Sequence, residues 1–200
     1  MSAKWFEFYM SEENSAEKPL MPNLDELFGL NEYYLKIGRR IEDWNPQSFL
    51  KSENEEHDGT PDDYLADPLG VPIFSPKLRH AMERNDVGTH DIQYLPIRVF
   101  QSTDEEVHGY SVANVITRVP ALNREHSEML DEDPDEIDPL TNAPIVRSIW
   151  RAALNEGSLT GHDVIRLTEF WAPVFVSERF AKVFRSGGFT GARLMPVSVH

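Results

Sequence analysis

Hydrophobic and polar positions follow the same order in two stretches of the chain, residues 72–99 and residues 173–199. Each stretch begins with a short apolar run, continues through a helix-like segment that starts at a serine, and ends in an apolar strand that contains proline. Apolar positions three and four residues apart are typical of a helix, and short apolar runs are typical of strands. The pattern therefore predicts two related strand–helix–strand units.

The helix of each unit carries its own start and stop signals. Ser75 and Ser177 are favourable N-caps, and Pro76 suits the first turn of the first helix. Residues 85–88 and the pair Gly187-Gly188 are typical of helix ends. Each apolar face would stabilise its helix by about 1.5–3 kcal/mol for every large side chain that it buries. The predicted faces are Leu78, Ala81 and Met82 in the first unit, and Phe180, Val183 and Phe184 in the second.

The rest of the chain predicts further short strands joined by polar loops, with Trp150, Phe170 and Trp171 in the core. Neighbouring strands mixed with isolated helices indicate an α+β fold with mostly antiparallel sheets. We predict a single domain over residues 1–200, with an N-terminal subregion at about residues 1–60. The predicted strands are 4–10, 33–37, 110–119, 145–154 and 164–167, the predicted short helix is 24–30, and the predicted loops include 11–24, 52–63 and 131–138.

Composition narrows the possible classes of protein. The chain has no cysteine, which excludes disulfides, thiolate zinc sites and a cysteine nucleophile. Its apolar runs are far shorter than the roughly 20 residues of a membrane span. Lys4 and Glu7 interrupt the apolar N-terminus, and no small-residue cleavage site follows, so we read a first strand and not a signal peptide. These features predict a cytoplasmic protein without a membrane partner.

The net charge of −15 disfavours nucleic acid as a partner, because phosphate binding needs a surface of lysine and arginine. The acidic residues occur in blocks, of which Glu53–Asp67 and Asp131–Asp138 are the longest. Such blocks are usually solvated loops, or else an acidic face that attracts a basic partner.

Signatures of catalysis and metal binding are absent from the sequence. No phosphate-binding or dinucleotide-binding glycine motif, zinc-protease motif or nucleophile elbow occurs. A calcium loop beginning at Asp131 would need glycine at its sixth position and glutamate at its twelfth, where the chain has Glu136 and Asn142. The histidines are scattered, so no cofactor or metal is expected. Glu125 and His126 are the single candidate acid–base pair, although a turn in which Glu125 and Ser127 satisfy backbone donors while His126 is exposed explains them better.

Several motifs resemble the bacterial immunity proteins of immunity protein family eleven, formerly a domain of unknown function. The likeness covers residues 60–199 well and the N-terminal third loosely. It departs at Pro120 and Asn123, where the family tends to show acids. The motifs are Asp62-Asp63-Tyr64-Leu65, Gly70-Val71-Pro72-Ile73-Phe74-Ser75, Tyr94-Leu95-Pro96-Ile97, Tyr110–Val115, Ala121–Ser127, Val164–Leu167, Pro173–Phe180, Gly187–Gly191 and Leu194–Val197.

The resemblance implies a cognate antitoxin, encoded beside a polymorphic toxin, that protects the producing cell by binding the toxin domain. It implies no catalytic residues. Two alternatives stay open: an enzyme of unrecognised type that uses Glu125 and His126, and an adaptor of a secretion apparatus. Acidic loops that plug a basic active site would associate fast and in a salt-dependent way. The candidate partner-binding residues are Glu53, Glu55, Glu56, Asp58, Asp62, Asp63, Asp131, Glu132, Asp133, Asp135 and Glu136.

Overall fold

Sixteen β-strands and three α-helices are seen in a computed structural model, which describes residues 4–65, 69–137 and 144–200. The fold is α+β, as predicted, and most strand pairs are antiparallel. In chain order the elements are β1 (Trp5–Met10), β2 (Leu24–Glu26), α1 (Tyr33–Lys36), β3 (Phe49–Lys51), β4 (Tyr64–Leu65), β5 (Ile73–Phe74), α2 (Pro76–Arg84), β6 (Ile92–Pro96), β7 (Arg98–Phe100), β8 (Glu106–Val107), β9 (Ser111–Val115), β10 (Arg118–Val119), β11 (Glu128–Ile137), β12 (Pro144–Arg151), β13 (Ala153–Leu154), β14 (Val164–Leu167), β15 (Val174–Ser177), α3 (Glu178–Ser186) and β16 (Ala192–Val199).

The strands form four sheets. The largest has the order β10-β14-β15-β1-β16-β13, and a four-stranded sheet has the order β4-β5-β9-β6. A second four-stranded sheet has the order β2-β3-β7-β8, and β11 and β12 form a separate two-stranded ribbon. No helix in the described ranges is long and apolar enough to cross a membrane.

The two repeated stretches form equivalent units, which confirms the predicted repeat. In each unit an antiparallel hairpin, β4–β5 or β14–β15, leads into a helix and then into a strand of the same sheet. A central strand completes each sheet: β9 lies between β5 and β6, and β1 lies between β15 and β16. The central strand of the second unit is therefore the N-terminal strand β1. In the first unit the central strand is β9, which follows the helix. The boundaries of the predicted N-terminal subregion stay a prediction.

An aspartate in each unit ties the helix cap to the strand before it. The Ser75 hydroxyl donates to Asp63 Oδ1 and the Ser177 hydroxyl donates to Asp163 Oδ1, each at 2.6 Å. Each serine oxygen also accepts a hydrogen bond from the backbone N–H three residues later, as an N-cap does. The predicted caps are therefore confirmed, and both helices bury the faces that the sequence indicated, with Val183 only partly buried.

Three hydrophobic clusters form the core. The first lies between α2, α3 and the two sheets of the repeat, where the Phe8 ring is 5.0 Å from the Phe180 ring and 5.3 Å from the Phe184 ring, centroid to centroid. The second includes Leu50 and is built largely from the N-terminal half of the chain. The third lies on the opposite face of the six-stranded sheet and includes Trp5, because successive side chains of β1 point to opposite faces.

Two predictions in the N-terminal part are wrong. Residues 33–37, predicted as a strand, form the helix α1, in which Lys36 bonds Glu32 one turn earlier at 3.0 Å and Leu35 is fully buried. The helix ends at Lys36, and two residues later Gly38 has a φ of 68°, a left-handed conformation that favours glycine. Residues 24–30, predicted as a helix, instead begin with β2, which pairs with β3. Tertiary contacts overrode local propensity in both places: strand pairing in β2, and burial of Leu35 in α1.

The prediction of a loop at residues 131–138 is also wrong. Its described part belongs to β11, which pairs with β12 through several register shifts. The predicted strand at 110–119 is interrupted, because residues 116–117 separate β9 from β10. The strands predicted at 164–167 and 4–10 are confirmed within a residue at each end. The strand predicted at 145–154 is divided into β12 and β13, which belong to different sheets.

Candidate partner-binding surface

The acidic loop, residues 52–63, presents its carboxylates on a well-braced backbone. Glu53 N donates to Asn23 Oδ1 at 2.8 Å, and Asn23 Nδ2 donates back to Glu53 Oε2 at 3.0 Å. At the tip, Asn54 Oδ1 accepts from Glu56 N at 3.0 Å in an Asx turn. The side chains of Glu53, Glu55 and Glu56 are exposed. The loop therefore holds three acids towards solvent on a backbone that needs no further ordering when a partner binds.

Asp58 anchors the far side of this loop and points partly inward. Its carboxylate accepts from Ser102 N at 2.8 Å and from Ser102 Oγ at 2.6 Å. Loss of hydration on its own would raise the pKa of Asp58, but these bonds, with others from Ser52 and the charge of Lys18, lower the pKa below its ordinary value. Asp58 is thus held ionised and fixes the loop to the turn between β7 and β8.

The last two acids of the loop serve the fold. Asp62 is 4% exposed, and its Oδ1 accepts from Ala16 N at 3.2 Å. Asp63 accepts from the hydroxyl of Ser75, and also from Thr190 N at 3.3 Å in the other unit. Both carboxylates already have partners inside the protein, so the part of the loop available to another molecule ends before them.

The acidic ribbon, the hairpin of β11 and β12, is the second candidate surface. Asp135 and Glu136 are exposed, and Glu136 Oε2 accepts from Arg147 Nε at 2.9 Å across the ribbon. The backbone of Asp131, Glu132 and Asp133 lies in β11 opposite residues 148, 146 and 145, but their side chains are outside the described residues, as is the whole of Asp138. The ribbon offers an acidic edge from an extended strand.

Trp150, predicted to lie in the core, is 70% exposed. Its neighbours Ile149 and Arg151 pair with Met129 and Glu128, which are consecutive, so Trp150 is the extra residue of a β-bulge. Bulges redirect side chains and twist the strand. The alternation of residues 146–150 indicated a strand correctly, but it does not reveal a bulge, and this is why the predicted position was wrong.

Glu125 and His126 lie on an exposed turn before the ribbon. His126 N donates to Asn123 Oδ1 at 3.1 Å, and the His126 ring stacks on the His200 ring at 3.9 Å between centroids. Ser127 Oγ accepts from Ala153 N at 2.9 Å and His126 is exposed, as the alternative to an acid–base pair predicts, but Asn123 and not Glu125 accepts the hydrogen bond within the turn.

A buried polar centre joins the two units, and no pattern along the chain predicts it. Asp91 is 3% exposed, and its carboxylate accepts from Asp163 N at 2.8 Å, Val164 N at 3.1 Å and Thr117 Oγ1 at 2.8 Å. His162 Nδ1 lies 2.9 Å from the same carboxylate, beside an open groove of about 650 Å³. Because both oxygens of Asp91 are engaged, the centre braces β14 against the first unit.

Arg166 is a further buried polar group, fully enclosed on β14. Its Nη1 donates to the carbonyls of Trp171 and Ala172 at 2.6 and 3.0 Å. Burial is the main cause that lowers the pKa of Arg166 to about 10; Tyr64 opposes the shift, and the nearby charge of Arg118 adds to it. In the described part of the chain, no group of three or more histidine, aspartate or glutamate side chains is placed to hold a metal ion.

Comparison with known families agrees with the motifs of the sequence. The family model described as "Immunity protein family (Imm11)" matches residues 5–199. No curated protein matches the chain. The match spans both repeated units, the N-terminal strand that completes the second unit, and both candidate surfaces.

Proposed function

The chain belongs to the immunity protein family Imm11, and on that premise we propose that it protects its producing cell by binding and neutralising a cognate toxin domain. The observation that carries the proposal is the match over nearly the whole chain, which includes every element of the fold. The protein would act in the cytoplasm, as a binding protein and not as an enzyme.

The negative charge of the chain supports a basic surface of the toxin as its target. The chain has a net charge of −15, and its acidic loop holds Glu53, Glu55 and Glu56 exposed on a backbone fixed by Asn23. Complementary charge speeds association and selects the partner more than it adds affinity. A braced loop loses little conformational entropy on binding, which favours tight association.

We place the interface on the acidic loop and the acidic ribbon. The exposed Glu53, Glu55 and Glu56 would contact the toxin from the loop, with Asp58 holding the loop in position. On the ribbon, Asp135 and Glu136 are exposed, and Asp131, Glu132 and Asp133 are proposed from their place in β11 alone. Asp62 and Asp63 are left out of the interface because the fold engages their carboxylates.

The proposal expects a toxin domain to be encoded beside this chain, and that domain is the reagent that tests it. Purified chain and purified toxin domain should form a complex on size-exclusion chromatography, and the chain should inhibit the toxin's activity as the two are titrated together. Absence of a complex at micromolar concentrations would contradict the proposal. Turnover of a small molecule that depends on Glu125 and His126 would favour the enzyme, and a complex with an apparatus component alone would favour the adaptor.

A further inference from the structure

A slot opens where the base of the acidic ribbon crosses the six-stranded sheet. Its volume is about 270 Å³, and its lining includes Glu7 of β1, Trp150 of β12 with Ala152 just after that strand, and Met195 and Val197 of β16. Pockets for small-molecule ligands are typically about 300–1,000 Å³ and lined mostly by apolar groups around a few polar ones. This slot has that character at a size that suits a single side chain.

Glu7 is the polar group of the slot. It lies on the central strand β1, in register with Phe175 on one side and Met195 on the other. Within the described ranges its carboxylate has no hydrogen-bond donor and no counter-ion. Loss of hydration between these apolar neighbours raises the pKa of Glu7 above its ordinary value. The ionised carboxylate is therefore short of favourable interactions, and a cation in the slot would supply them.

Trp150 is the aromatic wall of the slot. The bulge between residues 149 and 151 directs the indole out of the ribbon, where it is 70% exposed. The neighbouring Met195 is 42% exposed. Exposed aromatic side chains beside a pocket are typical of binding hot spots, and the face of an indole attracts lysine and arginine.

One positive group, Arg151, also lines the slot. Its Nη1 lies 3.4 Å from Glu128 Oε1 on the paired strand, so its charge is already offset. The remaining charge in the slot is the carboxylate of Glu7. A positive side chain therefore fits better than an acidic one, and better than a purely apolar one that would leave the carboxylate without a partner.

We propose that this slot receives a lysine or arginine side chain of the toxin domain, with Glu7 pairing its charge and Trp150 stacking on its stem. The inference rests on the proposed function and extends it, because it places one anchor of the interface at the base of the acidic ribbon. The exposed acids would then speed the encounter, and the slot would slow dissociation.

Two substitutions test the slot, each with a matched control. Glu7→Gln removes the charge and keeps the shape, and Glu42→Gln makes the same change in net charge at an exposed position. Trp150→Ala removes the indole, and Phe28→Ala removes another exposed ring, which is 53% exposed after β2. Association and dissociation rates with the purified toxin domain would be measured for all four by surface plasmon resonance, and thermal unfolding would verify their folds.

We expect Trp150→Ala to weaken binding about 30-fold or more and Glu7→Gln about tenfold or more, mostly through faster dissociation. Both controls should bind as the wild type does. Wild-type affinity in both slot variants overturns the slot while the proposed function stands. If Trp150→Ala weakens binding and Glu7→Gln does not, the slot does not receive a basic side chain, and an apolar occupant is indicated. A wild-type chain that does not bind the toxin contradicts the proposed function, and the slot with it.

Discussion

Replacing Asp163 by alanine should measurably lower the denaturant concentration at which the second unit unfolds, compared with the wild type. Its Oδ1 accepts from the Ser177 hydroxyl at 2.6 Å, and its Oδ2 accepts from Arg179 Nη1 at 2.9 Å. Gly88 N lies 3.4 Å from the same oxygen. The alanine variant leaves the cap of α3 with one partner fewer and removes a link to the first unit.

The size of the effect follows from these contacts. A hydrogen bond to a charged group contributes about 1.5–3 kcal/mol to stability. The ion pair adds about 0–1 kcal/mol, because the Arg179 side chain is 61% exposed. The contact with Gly88 is at the limit of a hydrogen bond and adds little. Together they predict a loss of about 2–4 kcal/mol, which corresponds to about 5–15 °C in Tm for a chain of this length.

The assay is equilibrium unfolding in urea, followed by tryptophan fluorescence and circular dichroism together. Asp63→Ala, the equivalent change in the first unit, should lose a similar amount, because Asp63 accepts the same 2.6 Å bond from Ser75. The control is Glu178→Ala, a partly exposed acid of the same helix turn whose ion pairs at 3.6 and 3.7 Å should contribute less than about 0.5 kcal/mol. If either aspartate variant unfolds within about 0.5 kcal/mol of the wild type, the proposed role of this bond in holding the units is wrong.

Three further outcomes are expected. Trp150→Ala should change the free energy of unfolding by less than about 0.5 kcal/mol, since the side chain is 70% exposed. A loss of several kcal/mol would mean that Trp150 packs in the core after all. Glu7→Gln should stabilise the fold at neutral pH by less than about 1 kcal/mol, because the raised pKa of Glu7 means that its ionised form disfavours folding. That gain should vanish as the pH falls below the unfolded-state value of 4.5, and a gain that grows in acid would refute the assignment. Changing Glu55 and Glu56 together to lysine should slow association with the toxin and flatten its dependence on salt, whereas unchanged rates in stopped-flow mixing would contradict steering by the acidic loop.

The sequence predicted those parts of the fold that depend on local chemistry. Serine caps and three-to-four-residue apolar spacing located α2 and α3, because both signals act within a few residues. The two tyrosines at 33–34 favoured a strand by propensity, yet burial of Leu35 and its neighbours decided for a helix. A tertiary contact that contradicts local preference leaves no periodic signal, so this element was predicted wrongly.

Features that join residues far apart along the chain were the hardest to predict from the sequence. β1 pairs with β15 and β16 from the other end of the chain, and its equivalence to β9 is evident only from the sheet order. Asp63 and Asp163 each precede a capping serine by 12–14 residues, and alignment of the two units from these aspartates would have extended the repeat by one strand. The slot combines β1, β12 and β16, which no pattern along the chain places together.

Growth rescue is the measurement that bears most directly on neutralisation. Cells that express the toxin domain proposed as the partner should stop growing, resume growth when the wild-type chain is co-expressed, and stay arrested with a folded Glu7→Gln/Trp150→Ala double variant at equal abundance. Arrest that persists at full expression of the wild-type chain would contradict the account.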